Sequence, residues 1–169
     1  MTALDARPRS RTITWSDPAQ TRAQLNGLDG YERLAAMQRG EAPPPPAVAL
    51  LGMSLNEVER GRTVFSIVAD ELLENPMGTM HGGIVATLVD TAMGCAISST
   101  LPADASFTTL ELSTNYVRAI TTATGRIFAE GRVIHSGGRV GTTDARVYDE
   151  NGTLYAHATS TCMIIRSRQ

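Results

Sequence analysis

The sequence predicts an α+β domain in which one long apolar helix lies against an antiparallel sheet of five or six strands. Three observations lead there. The run 84–97 is apolar at helical spacing, and its only ionisable groups are Asp90 and the thiol of Cys95. Four runs rich in threonine and β-branched residues follow it, at 107–118, 124–135, 140–148 and 154–165. The short links Ser136-Gly137-Gly138 and Asp149-Glu150-Asn151-Gly152 are hairpin signals, which makes these strands sequential antiparallel neighbours. A single apolar helix flanked by strands, with no alternation of helix and strand, is the α+β pattern.

Taken in order, residues 1–18 are polar and Arg-rich, and Trp15 is their only aromatic side chain, so we expect a loose arm docked through Trp15. Leu25, Leu28, Tyr31, Leu34 and Ala35 give residues 19–39 a helical spacing, with Gly27 and Gly30 allowing a break. Four prolines, Pro43 to Pro46, then form a stiff extended connector. The apolar stretch 47–51 reads as a short turn or helix suited to covering a pocket. Residues 54–60 read as a first strand and Gly61-Arg62 as a turn. A second strand over 63–69 follows, with Phe65, Ile67 and Ala69 alternating against their neighbours. The organisation expected is therefore an arm, helix and connector over 1–46 and the α+β domain over 47–166.

The chain is 169 residues long and 42% hydrophobic, enough for one domain with one core. Its formal net charge of -2 with no basic block excludes nucleic acid or an anionic membrane as the expected partner. The most apolar run is interrupted by Asp90, so no membrane span is expected, and no charged start precedes an apolar run as in a secretory leader. All 15 basic residues are arginine. Without lysine, Schiff-base catalysis, pyridoxal phosphate attachment and a P-loop are excluded. Cys95 and Cys162 read as unpaired packing residues of a reducing, cytoplasmic compartment. His81, His135 and His157 are too scattered for a metal site, so none is expected.

The chemistry centres on the entry to the long helix. At about 100° per residue, Ile84, Val85, Leu88, Ala92, Cys95 and Ala96 share one face, which is expected to meet the sheet. Asp90 lies roughly opposite, among Gly83, Ala86, Thr87, Met93 and Gly94, facing a slot. A carboxylate in an apolar helix costs several kcal/mol unless it is solvated or hydrogen-bonded. Either Thr87, Thr91 or a backbone donor satisfies a structural Asp90, or Asp90 is a general base or nucleophile. The N–H groups of Gly82 and Gly83 open the helix and carry the positive end of its dipole, which suits a developing oxyanion. Asn75 and His81 stand at the mouth of the same loop. From His81 to Asp90 is nine residues, about 900° of helical turn, so the two point to opposite sides of a single helix. A site using both is more easily drawn from two chains.

With Asn75, His81-Gly82-Gly83 and Asp90 in this order, followed by the strand Thr109-Leu110-Glu111-Leu112-Ser113-Thr114-Asn115-Tyr116, the chain resembles the PaaI-like acyl-CoA thioesterases of the hotdog fold over residues 47–165. The resemblance implies a long central helix wrapped by the sheet. It implies that the Gly82 amide polarises a thioester carbonyl, that Asn75 binds the carbonyl or orients water, and that Asp90 activates water or attacks directly. Thr109 then holds the water, with Thr108 as its neighbour of similar chemistry, and His81 shapes the oxyanion site. It also implies a homodimer or homotetramer whose sites span the subunit interface, and coenzyme A as part of the substrate with no separate cofactor.

Phosphates of coenzyme A need arginine donors. Arg139, after Gly137 and Gly138 at a hairpin whose amides can cup an anion, is the first candidate, equally readable as a solvated hairpin residue. Arg118 and Arg132 come second, and Arg166 to Arg168 read as a solvated tail. The function expected is hydrolysis of a small aromatic or short- to medium-chain acyl-CoA. The rivals are a hotdog hydratase or dehydratase, in which a histidine and an acid exchange protons on the acyl chain, and an acyl-CoA-binding sensor without catalysis.

Overall fold

The computed structural model describes residues 8–166, so the start of the expected arm and the last residues of the expected Arg tail lie outside the described residues. The helices are α1 (Pro18–Gln24), α2 (Gly30–Gln38), α3 (Pro46–Leu51) and α4 (Gly82–Ser98). The strands are β1 (Ser54–Glu59), β2 (Arg62–Val68), β3 (Ala105–Tyr116), β4 (Arg126–Ser136), β5 (Val140–Asp149) and β6 (Leu154–Arg166). All six form one antiparallel sheet in the order β1-β2-β4-β5-β6-β3, and it curls around α4.

The expected helix over 19–39 is two helices, divided where Gly27 takes φ 83°. Asp17 caps α1, while Asp29 and Glu32 form a reciprocal capping box on α2. Trp15 does not dock the arm as expected, since it is 64% exposed. At this same end of α2 the chain meets the end of α4. The Gly30 N–H donates to the Leu101 carbonyl at 3.0 Å. A Cβ on Gly30 would lie 1.7 Å from the Ser98 carbonyl oxygen, so only glycine permits this approach.

The hairpins β4-β5 and β5-β6 form as expected, but β3 pairs with β6 rather than with β4. The link after β3 is not a tight turn. Residues 117–125 run across the end of the sheet, held by Val117 N–H to the Tyr155 carbonyl and by Met80 N–H to the Ile120 carbonyl, both 2.8 Å. That crossing puts β3 at one edge of the sheet and lets β2 pair with β4.

The core is a layer between α4 and the inner face of the sheet. Val85, Leu88, Ala92 and Ala96 are buried as expected, while Ile84 and Cys95 are only half-buried. Burial also takes in Val89, Met93, Gly94 and Ile97, because the curled sheet meets the helix from more than one side. Met93 and Gly94 therefore do not line a slot beside Asp90. A Cβ on Gly94 would stand 2.8 Å from the ring of Phe107 in β3.

Two paired residues seat the helix on the sheet. Thr63 of β2 faces Gly131 of β4 across the ladder. The Thr63 hydroxyl donates to the Ala92 carbonyl at 2.7 Å, and a Cβ on Gly131 would lie 2.6 Å from the Ala92 backbone. Gly131→Ala is expected to cost about 3 kcal/mol, the upper end of overpacking penalties, because the obstacle is helix backbone rather than a movable side chain. A urea titration with an unchanged midpoint would refute this seating.

The outer face of the sheet is charged. Arg62 bonds Glu130 at 2.6 Å and Glu57 at 2.7 Å, and Arg132 also bonds Glu130. Both cysteines are unpaired. Among the described residues no helix is long and apolar enough to cross a membrane, and no group of three His, Cys, Asp or Glu side chains is placed to hold a metal.

Candidate active site

Half of the candidate site lies midway along α4. Asp90 is half-buried on the stripe that the sheet leaves uncovered, with exposed Gly83 and Thr87 and half-buried Ala86 and Thr91. Its Oδ1 accepts a hydrogen bond from the Thr109 hydroxyl of β3 at 2.9 Å. The structural alternatives do not satisfy it. Thr87 and Thr91 instead donate back to the helix carbonyls of Gly83 and Thr87, at 2.9 and 2.8 Å. Thr108, the neighbour of Thr109, is exposed on the other face of β3. Just beyond Thr109 the β3-β6 register shifts by a bulge at Leu110, a device that re-aims side chains beside a site. The Cys95 thiol is pushed up to about 12 by its burial and by the charge of Asp90, so it is neutral and no nucleophile at neutral pH.

The other half lies at the start of α4, where a cleft of about 360 Å³ is lined in part by Asn75, Thr79, Gly82, Tyr116 and Arg118. His81 is the N-cap. Its Nδ1 accepts from the Gly83 N–H at 3.0 Å, which removes one of the two expected oxyanion donors. The Gly82 N–H, at the first helical position, has no partner among the described residues. The Asn75 side chain organises the loop. Its Oδ1 accepts from Met77 N at 2.9 Å and Thr79 N at 3.4 Å, and its Nδ2 donates to the Thr79 hydroxyl at 2.9 Å. In this conformation Asn75 offers a ligand one remaining N–H and no acceptor.

Tyr116 was not singled out from the sequence. Its hydroxyl donates to the Gly82 carbonyl at 2.9 Å, tying the end of β3 to the helix start and steadying the adjacent amide. A tyrosine ending an alternating strand carries no local signal of this contact, which joins residues 34 positions apart.

The two halves are not brought together within one chain. Eight residues separate Gly82 from Asp90, about 12 Å of helix rise, whereas a base and an oxyanion donor must both come within about 3 Å of one reacting centre. The hairpin with Gly137, Gly138 and Arg139 lies beyond the opposite end of α4, where Ser136 meets Thr100 at 3.1 Å. Gly137 N–H already donates to the Val140 carbonyl, and neither hairpin glycine has a positive φ, so the expected anion cup is not formed from this pair. Arg139 is exposed. Arg132 is engaged by Glu130, while Arg118 is exposed at the cleft that holds Asn75 and Gly82.

Comparison with known proteins bears on the family and the fold. The family profile described as Thioesterase superfamily matches residues 77–156. An inferred esterase of Halobacterium salinarum is 33% identical over 140 residues, covering 80% of this chain and 90% of its own length. The 1,4-dihydroxy-2-naphthoyl-CoA hydrolase of Listeria monocytogenes is 23% identical over 119 residues, 70% of this chain and 95% of the hydrolase. Among solved structures, a phenylacetic acid degradation-related protein of Ralstonia eutropha, an inferred thioesterase, superposes with a TM-score of 0.70 at 30% identity. It covers 77% of this chain and 98% of its own. The E. coli PaaI protein from the phenylacetic acid degradation operon shares the fold, with a TM-score of 0.71 at 18% identity over 82% of this chain and 95% of that one.

Proposed function

This chain belongs to the thioesterase superfamily as a PaaI-like hotdog protein and is a thioester hydrolase, and from that premise we propose that it cleaves a small acyl-CoA to the free acid and coenzyme A. The acyl group in this reading is aromatic or of short to medium chain length. The observation that carries the reading is the Asp90–Thr109 pair on the uncovered stripe of the central helix. Thr109 donates a hydrogen bond to Oδ1 of Asp90, and its oxygen keeps the capacity to accept one from water. Oδ2 of Asp90 remains free to take a proton.

In the general-base form, water held by Thr109 loses a proton to Asp90 as its oxygen bonds to the thioester carbon. The carbonyl oxygen becomes an oxyanion on the Gly82 N–H, assisted by the free Asn75 N–H and the positive end of the helix dipole. The intermediate then collapses, the C–S bond breaks, and the thiolate of coenzyme A takes up the proton. In the alternative form, Asp90 attacks the carbon itself, the C–S bond breaks to release the thiolate of coenzyme A, and water then hydrolyses the mixed anhydride to the free acid and the Asp90 carboxylate. Neither form requires a metal or an organic cofactor. His81 supports the oxyanion site as cap of the helix, its Nδ1 held by the Gly83 N–H.

The separation of Asp90 from Gly82 along α4 supports a homodimer, or a homotetramer built from dimers, in which Asp90 and Thr109 of one chain face Asn75 and Gly82 of the other. The 12-residue edge strand β3, paired on one side only among the described residues, supports the same assembly, since an open edge of this length invites a partner strand. Arg118 at the cleft is a better-situated phosphate donor than Arg139 within one chain, and both are assigned to coenzyme A. The cytoplasm is the expected compartment for unpaired Cys95 and Cys162.

Free-thiol release from a panel of benzoyl-, phenylacetyl-, acetyl-, hexanoyl- and decanoyl-CoA tests the proposal. Turnover of at least one is expected. Binding without turnover of any would replace hydrolysis by the sensor reading.

A further inference from the structure

The segment that precedes the family match builds something of its own. A cavity of about 460 Å³ lies between α2, the proline run, β1-β2 and α4, within the size range of small-molecule sites. One side is Leu34 and Met37 of α2 with Pro44 and Pro45, and the floor is Phe65 of β2. Its α4 side is Thr91, Cys95 and Ser98, at spacings of four and three, one helical face. Thr91 is the residue after Asp90, and the Cys95 thiol lies close enough to Asp90 to feel its charge. The cavity therefore begins one residue along α4 from Asp90, which is not itself part of its lining.

Its lining is mostly apolar. Of the polar side chains that reach it, Thr91 donates a hydrogen bond to the Thr87 carbonyl at 2.8 Å, and Arg33 donates one N–H to the Ala103 carbonyl at 2.9 Å. The Ser54 and Ser98 hydroxyls, the Cys95 thiol and the other N–H groups of Arg33 are left to meet a polar substituent. On the far side of Met37, Pro44 and Pro45 lies a second cavity of about 480 Å³, bounded by α1 and α2. Met37 and the two prolines are thus a partition between two spaces.

We infer that the cavity between α2, the proline run and α4 receives the acyl group of the substrate, that the body of this group is apolar, and that Met37 sets how much of it fits. This rests on the thioester-hydrolase reading with Asp90 at the reacting carbon. Residues 33–45, outside the matched family region, are then the specificity element of this chain.

The test compares kcat/KM of the full-length protein for acetyl-, hexanoyl-, decanoyl- and phenylacetyl-CoA, in the wild type, Met37→Trp and Met37→Ala. The wild type is expected to favour hexanoyl- over acetyl-CoA by at least about tenfold. Met37→Trp narrows the cavity, and the decanoyl-to-acetyl ratio should fall by at least about tenfold, whereas Met37→Ala opens the partition and should raise that ratio. The phenylacetyl arm distinguishes a ring from a chain as the preferred apolar group. Equal use of acetyl- and hexanoyl-CoA, or one profile in all three proteins, overturns the inference. Calorimetric binding of S-decyl-coenzyme A, a thioether that no hydrolase cleaves, reads the cavity apart from the chemistry. Weaker binding to Met37→Trp together with no turnover of any ester would uphold the cavity and sink the hydrolase reading. Undiminished binding to Met37→Trp, or a change in its oligomer mass with no change in binding, would assign the cavity to a contact between copies of the chain.

Discussion

Asp90→Asn is expected to lower kcat/KM for the preferred acyl-CoA by about a hundredfold or more, the scale associated with losing a positioned base. Asparagine keeps the shape of the side chain, and its oxygen can still accept the Thr109 hydroxyl proton that Oδ1 holds at 2.9 Å. The fold and the assembly should therefore survive. Melting temperature is expected to stay the same or rise, because a half-buried charge is removed from an apolar helix. Circular dichroism and the melting curve separate this outcome from simple unfolding. Near-wild-type turnover in Asp90→Asn would make the carboxylate structural and end the mechanism proposed for it. A loss in kcat with little change in KM would locate the deficit in the chemical step.

Mixing two inactive variants is expected to restore activity. About 12 Å of helix separates the Gly82 amide from Asp90 in one chain, so the shared-site reading assigns the two groups of each site to different subunits. In a heterodimer of Asp90→Asn and Asn75→Ala, one site then carries both lesions and the other carries neither. Statistical pairing gives about half heterodimers with one intact site of two, hence recovery near one quarter of wild type. Asn75→Ala disturbs its own loop, since Asn75 holds the amides of Met77 and Thr79. That damage travels with the same subunit and leaves the arithmetic unchanged. Mass tags on one chain must first establish that subunits exchange. Exchange without recovery would mean that each site is built within one chain, with α4 or its entry loop rearranging to close the distance.

Local pattern and long-range pairing explain which parts of this architecture were legible. Asp90 stood out because it is the only carboxylate in an apolar run, and the strands around Gly137-Gly138 and Asn151-Gly152 were legible because hairpin chemistry is local. The position of β3 was not, since strand order depends on how residues 117–125 cross the sheet, and nothing within β3 encodes its partner. The sequence offered both Gly82 and Gly83 as amide donors. The choice between them required the rotamer of His81, which occupies Gly83 and leaves Gly82. Tyr116 and Met37 escaped notice for a related reason. Each acts across a tertiary contact, one on the helix start and one on a cavity wall, and each is ordinary in its own strand or helix. The extent of the buried face of α4 was also underestimated, because a helical wheel assumes one flat neighbour whereas this sheet curls to reach Val89 and Met93.

The close seating of Gly30 on the end of α4 has a kinetic consequence. Its amide, bonded to the Leu101 carbonyl at 3.0 Å, can exchange with solvent deuterium only when α2 lifts from the central helix. Amides in the middle of α4, such as that of Val89, exchange only on larger openings. The difference between the two protection factors measures the free energy of undocking α2 alone. Since α2 also carries Leu34 and Met37, the same opening frees one wall of the cavity beside Asp90. Gly30 is thus a built-in probe of how often that wall stands ajar, and its exchange should slow when the cavity is filled.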